Sequence, residues 1–290
     1  MSTCMLCPRM CGVDRDGGAL GVCKMGAQAM VARAAPHLFE EPCLSGTRGS
    51  GTIFFAGCSL RCIFCQNRAI SRAPTGRVLT SSALADEMLS LQEQGVHNVN
   101  LVTATHFTDK VAEALTLAKP HLRIPVVWNS SGYERVESLR MLDGLVDIYL
   151  PDFKYASSDL SRDYSAAPDY PDVAAAAIAE MVRQRGAFRT NEAGLAESGV
   201  LVRLLILPGQ RADAIEVLRR LARTVSPSDL RLSLMSQYTP AFAMDTPYPN
   251  LHRRLTRFEY DSVIREALAL GFDGYTQDRS SATSAYTPDF

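Results

Sequence analysis

Thr52-Ile-Phe-Phe-Ala56, followed at once by Gly57-Cys58-Ser-Leu-Arg-Cys62-Ile-Phe-Cys65, is the stretch that decides how this 290-residue chain is read. An apolar run of strand length ends in three cysteines spaced C-x3-C-x2-C. Three thiolates on a short loop can hold three irons of a cubane (4Fe-4S) cluster and leave the fourth iron open to a non-protein ligand. A helix face competes with this, because i, i+4 and i+7 also align on a helix and a buried free cysteine behaves as a small hydrophobe. With eight cysteines scattered at random, such a triplet is expected roughly 0.006 times, so the metal reading is favoured.

Working outward, apolar runs of strand length alternate with segments of helical period. The strand candidates after Thr52–Ala56 are Asn98–Thr103, Ile124–Trp128, Val146–Leu150, Val200–Leu207 and Arg231–Ser236. Their near-continuous apolar character suits strands covered on both faces. The intervening helices have readable ends. Leu84, Met88 and Leu91 share one face ahead of Gly95, and Val136, Leu139 and Leu142 repeat the pattern before Gly144. Pro171 opens a helix that stops at Gly186. Ile215, Leu218 and Ala222 mark another, and Thr256 with Glu259 has capping-box spacing before a helix ending at Gly271. Six strands with helical crossovers predict an α/β fold, a partial (β/α)6 TIM-like barrel; a doubly wound sheet is the alternative. In either case the site belongs at the carboxyl ends of the strands.

All eight cysteines fall at positions 4, 7, 11, 23, 43, 58, 62 and 65. Thiols packed at one end of a large chain favour metal over a disulfide scaffold. Residues 1–47 read as a small Cys-rich metal-binding module, 48–278 as the barrel and 279–290 as a Ser/Thr-rich tail. Residues 187–199 read as a polar connection or lid. Cys4, Cys7, Cys11 and Cys23, spaced C-x2-C-x3-C-x11-C, fit a second iron–sulfur cluster or a structural zinc. Cys43 is a ligand, a hydrogen-atom donor or an idle thiol. A net charge of −1 argues against a nucleic-acid-binding role, and no apolar run is long enough for a membrane span. The expectation is a cytoplasmic protein.

The loop from Gly49 through Asn67 resembles the cluster loop of the radical S-adenosylmethionine (SAM) superfamily, and more narrowly its pyruvate formate-lyase activating-enzyme-like branch. The likeness continues through Asn98–Phe107, Trp128–Tyr133, Asp147–Tyr155 and Met235–Pro240. It implies a cluster on Cys58, Cys62 and Cys65 that chelates S-adenosylmethionine and cleaves it to a 5′-deoxyadenosyl radical. It also implies that this radical takes a hydrogen atom from a substrate, and that a flavodoxin- or ferredoxin-type donor supplies electrons.

The same resemblance assigns roles to residues at the strand ends. Phe64 stands where relatives place an aromatic residue near the adenine. Thr103-Ala104-Thr105-His106 replaces the Gly-Gly-Glu that binds the methionyl amine in most relatives, which makes Thr103 and Thr105 its candidates. His106 either acts on substrate or supports the loop. Asn129, Ser130 and Ser131 face the ribose or carboxylate of the cofactor, or else form a cap or turn. Asp152-Phe153-Lys154 is similar to the Asp-Leu-Lys of glycyl-radical activating enzymes, where the aspartate helps hold a monovalent cation; a plain ion pair is the other explanation. Arg203, in an apolar strand, calls for a carboxylate partner. Gln237 and Tyr238 border the adenine or simply pack. The substrate is then a glycine of a glycyl-radical enzyme or, as the alternative, a small molecule. A non-catalytic iron–sulfur or zinc scaffold or electron carrier would need no cofactor pocket at all.

Overall fold

The computed structural model describes residues 3–278; the tail expected at 279–290 lies outside them. Ten strands form β1 (Ala29–His37), β2 (Ser50–Phe55), β3 (Arg77–Leu79), β4 (Val99–Val102), β5 (Val126–Ser130), β6 (Ile148–Pro151), β7 (Arg189–Thr190), β8 (Ala196–Leu205), β9 (Leu230–Met235) and β10 (Gly274–Thr276). The sheet order is β10-β9-β8-β6-β5-β4-β2-β1-β3, with β7 on β8. From β2 to β10 every neighbouring pair is parallel. Spatial order follows chain order along that run, so there is no switch point of a doubly wound sheet. The sheet curls as an open, partial barrel with β3 and β10 at its free edges.

The six expected strands are all present, within a few residues. The structure adds β10 at one edge and an antiparallel pair, β1 and β3, at the other. β1 joins the main sheet by pairing with β2, so the expected boundary at residue 47 does not separate two bodies. The stretch 187–199 is a correction as well. It forms a hairpin between β7 and the start of β8 rather than a lid.

Crossover helices cover the outer face. Ser81–Glu93 starts at Thr80, whose side chain accepts from the Ala83 amide, and buries Leu84, Met88 and Leu91. Thr108–Ala118, which the sequence reading did not single out, lies between β4 and β5. Tyr170–Arg185 has proline in its first turn and ends at Gly186. Thr256 and Glu259 close the expected capping box on Arg257–Ala269.

Inside the curl, the lower lumen is filled by Val127, Ile148, Leu150 and Leu201 of the strands. The short helix Pro42–Ser45 plugs it from below with Cys43 and Leu44. Asn98 ties this plug to β2 and β4, donating to the Leu44 carbonyl and accepting from Ser50. Residues 38–46 thus form the barrel's floor.

Candidate active site

Above the floor lies a cavity of about 220 Å³ that Glu40, Asn129, Asp152, Lys154, Arg203 and Gln237 line with polar atoms. Cys62, Phe64 and Cys65 line its upper side, with Phe39, Phe54 and Val102 adding apolar wall. These groups come from the ends of different strands. Alternation along β5, β6 and β8 aims Asn129, Asp152 and Arg203 into one lumen.

The polar groups form one network. Arg203 donates from Nε to Asp152 Oδ1 (3.0 Å), from Nη2 to Asn129 Oδ1 (2.6 Å) and from Nη1 to Glu40 Oε2 (3.4 Å). Lys154 Nζ donates to Asp152 Oδ2 (2.5 Å). Glu40 Oε1 accepts from Asn100 (3.2 Å) and Asn129 (3.3 Å). Arg203 does meet a carboxylate, as its place in an apolar strand implied, and it meets two. Burial is the largest influence on Asp152 and would raise its pKa, yet Lys154 and Arg203 together hold it below the usual carboxylate value. Glu40 is pushed up to about 7 by burial, which Arg203 only partly counters. Both oxygens of Asp152 are engaged by cations of the chain itself, so its charge is already compensated within the chain.

Cys58 lies behind the cavity rim. Its thiol is pushed up to about 12 by burial first and by the neighbouring Cys62 and Cys65 second. Burial also raises Cys62, against the pull of Lys154. The sulfurs receive hydrogen bonds, from Ser165 Oγ to Cys62 (3.0 Å) and from the Leu60 amide to Cys58 (3.4 Å). Among the described residues no three His, Cys, Asp or Glu side chains close into the shell of a single metal ion. A cubane asks for something different, since each of its thiolates binds a different iron. Three half-buried, mutually adjacent thiols, two of them with donors on their sulfurs, at the rim of a polar cavity, fit such a cluster.

Other sequence candidates lie elsewhere. His106 is fully buried, with Nε2 against the Ala56 carbonyl (2.8 Å), and burial lowers its pKa to about 4. It supports the loop and lines no part of the cavity. Thr105 donates to Glu134 (2.7 Å), as does Trp128 Nε1 (3.2 Å), so it packs behind the wall. Ser130 Oγ accepts from the Gly132 amide and Ser131 Oγ from the Tyr133 amide, which are turn contacts. Tyr238 donates to the Leu251 carbonyl (2.7 Å) and meets Phe64 edge-on at 6.1 Å, so it supports Phe64 from outside the cavity. Thr103 directly follows β4 at φ 62, an uncommon conformation for a β-branched residue, with its amide on the Asn129 carbonyl. Glu40 was not singled out from sequence. It sits in an irregular stretch, and only the fold brings the floor beneath the strand ends.

An uncharacterized protein of Methanocaldococcus jannaschii is 27% identical over 281 residues, covering 93% of this chain and 75% of that protein. A radical SAM methyltransferase from Sphaerobacter thermophilus superposes with a TM-score of 0.52 at 16% identity, covering 81% of this chain and 69% of that one. Streptococcus suis SuiB bound to its precursor peptide SuiA gives 0.51 at 14% identity, covering 76% of this chain and 46% of that one. At these identities the solved structures speak for the fold alone. The radical SAM superfamily profile spans residues 52–222, from β2 through the helix after β8. The chain belongs to the radical SAM superfamily.

Proposed function

We propose that this chain binds S-adenosylmethionine in the lumen cavity and uses it to abstract a hydrogen atom from a substrate admitted at the cavity mouth. The observation that carries this reading is the convergence of Cys62, Cys65 and Phe64 with Asn129, Asp152, Lys154 and Arg203 on one cavity. Cys58, Cys62 and Cys65 would hold a 4Fe-4S cluster, which when bound and reduced would supply the electron needed to cleave S-adenosylmethionine to methionine and a 5′-deoxyadenosyl radical.

The chain's own residues do the positioning. Lys154 and Arg203 offer positive charge where a carboxylate must sit, and Asn129 and Gln237 offer amide donors and acceptors. Phe64 is held edge-on by Tyr164 (6.4 Å) and Tyr238 (6.1 Å), which fixes its ring as one wall. The floor of Cys43 and Leu44 closes the lumen from below.

Abstraction from a glycine of a glycyl-radical enzyme rests on the branch resemblance and on the likeness of the Asp152-Phe153-Lys154 segment. The self-contained ion pairs of Asp152 lend that likeness no support, so a small-molecule substrate stands level with it. A scaffold or electron carrier would need no polar cavity beside the cysteine loop, which favours the enzyme. SAM titration of the anaerobically reconstituted, reduced protein, followed by electron paramagnetic resonance (EPR), tests the reading. A spectrum that shifts on SAM addition supports it; an unchanged spectrum with no cofactor bound overturns it.

A further inference from the structure

Residues 3–28 contain neither helix nor strand. So short an irregular segment has little apolar material to hold itself and ordinarily needs a staple. Cys7 and Cys23 are nevertheless only 4% and 2% exposed. Backbone bonds fold the segment around its thiols. The Cys4 amide donates to the Val13 carbonyl and the Gly12 amide to the Cys4 carbonyl, which brings Cys11 back beside Cys4. Met10 (φ 37) and Lys24 (φ 66) sit in the left-handed region at the tight turns beside Cys11 and Cys23. Each of the four thiols lies within electrostatic reach of others in the set, and none is in a disulfide. Arg15 Nη2 donates to Cys23 Sγ (2.9 Å).

This segment is fastened to the Cys58–Cys65 loop. Arg9, two residues past Cys7, donates to the carbonyls of Ser59 (2.7 Å), Ala166 (2.6 Å) and Ser165 (3.4 Å). Ser165 Oγ in turn donates to Cys62 Sγ (3.0 Å). Arg61 reaches back to the Val22 carbonyl, next to Cys23. Gly57 lets the two backbones touch: a Cβ there would stand 2.7 Å from the Cys23 carbonyl oxygen. Aromatic rings run alongside. Arg9 caps Tyr133, which stacks on Tyr170 (6.0 Å), which meets Tyr155 (5.4 Å), whose hydroxyl contacts Ser165 (2.8 Å). A zinc on these thiols would be redox-inert and serve only as a staple, whereas an iron–sulfur cluster on them could use the contacts to Cys62 for electron exchange.

We propose that Cys4, Cys7, Cys11 and Cys23 hold a second iron–sulfur cluster, and that Arg9 and Ser165 join it to Cys62 as an electron-transfer partner of the first. This rests on the radical SAM reading of Cys58, Cys62 and Cys65. The step is a one-electron exchange with no bond made or broken. The second cluster is oxidised as the first is reduced, and a flavodoxin- or ferredoxin-type donor replaces the electron.

The test reconstitutes three full-length proteins anaerobically with iron and sulfide: wild type, a Cys58→Ala/Cys62→Ala/Cys65→Ala variant, and a Cys4→Ala/Cys7→Ala/Cys11→Ala/Cys23→Ala variant. The expected iron is about eight atoms per wild-type chain and about four in each variant, with matching sulfide. The reduced wild type should show magnetic splitting in its EPR spectrum that neither variant shows. Zinc, or no metal, in the Cys58→Ala/Cys62→Ala/Cys65→Ala variant would overturn the cluster. A wild-type spectrum equal to the sum of the two variants would overturn the electronic link. Should the N-terminal variant fail to fold, the other two proteins still decide the metal. Iron confined to the N-terminal thiols would leave this proposal's cluster standing and defeat the reading of Cys58, Cys62 and Cys65 instead.

Discussion

Replacing Arg203 by methionine removes one positive charge from the lumen while keeping a long side chain. In the native protein that guanidinium bonds Asp152, Asn129 and Glu40, with Arg203, Asp152 and Glu40 side chains 15%, 18% and 10% exposed. Removing one partner of a buried pair costs about 3–5 kcal/mol; because Lys154 still holds Asp152, a loss of about 3 kcal/mol is expected near neutral pH and above. The loss should depend on pH through Glu40. Its pKa stands at about 7, raised by burial and held down by Arg203, so removing Arg203 moves it higher. A carboxyl whose folded pKa is raised keeps a proton that the unfolded chain gives up. Its effect on stability is therefore absent at low pH and grows more unfavourable as pH rises from the usual carboxylate range towards the folded value. At about pH 5 Glu40 is neutral with or without Arg203, so the variant should lose only about half as much as at about pH 8. Urea unfolding at both pH values reads this as a shift in midpoint at constant slope. Adding Glu40→Gln to Arg203→Met should recover part of the loss at about pH 8 and little at about pH 5. Equal losses at both pH values, or no recovery from Glu40→Gln, would refute the network as described.

Phe64→Leu keeps apolar bulk but gives up the edge-on contacts with Tyr164 and Tyr238; SAM affinity, measured by equilibrium binding, should fall about tenfold with iron content unchanged. His106→Gln should lower the unfolding midpoint yet leave the pH profile of 5′-deoxyadenosine formation unchanged between about pH 6 and 8, because burial holds His106 neutral there. Gly132 has φ 73, and a Cβ on it would stand 2.2 Å from the Asp152 carbonyl oxygen. Gly132→Ala should therefore cost about 2 kcal/mol or more in urea unfolding and weaken SAM binding by displacing Asp152.

The parallel run was legible because strands β2, β4, β5, β6, β8 and β9 are apolar on both faces and their helices carry ordinary caps. β1 was not, since Ala29-Met-Val-Ala-Arg-Ala-Ala-Pro-His37 has few β-favouring residues and gains its place by pairing with β2. β10 is three residues long and is fixed only by β9. Polar Glu197-Ser198-Gly199 disguised the start of β8. At the site, residues that follow a strand end were found by that rule, and Asn129, Asp152, Lys154, Arg203 and Gln237 do share the cavity. The rule could not tell lumen-facing from wall-facing neighbours, which is why Ser130, Ser131, Thr105 and His106 were grouped with them. Glu40 was beyond reach of any local pattern, because its partners Asn100, Asn129 and Arg203 stand on three different strands.

The most direct test of the central claim is the product of cofactor cleavage. Anaerobically reconstituted protein is reduced, given S-adenosylmethionine, and analysed by mass for 5′-deoxyadenosine beside the Cys58→Ala/Cys62→Ala/Cys65→Ala variant. The account predicts 5′-deoxyadenosine from the wild type and none from the variant. Equal amounts from both, or none from a wild type that carries a reducible cluster and a full range of substrates, would contradict it.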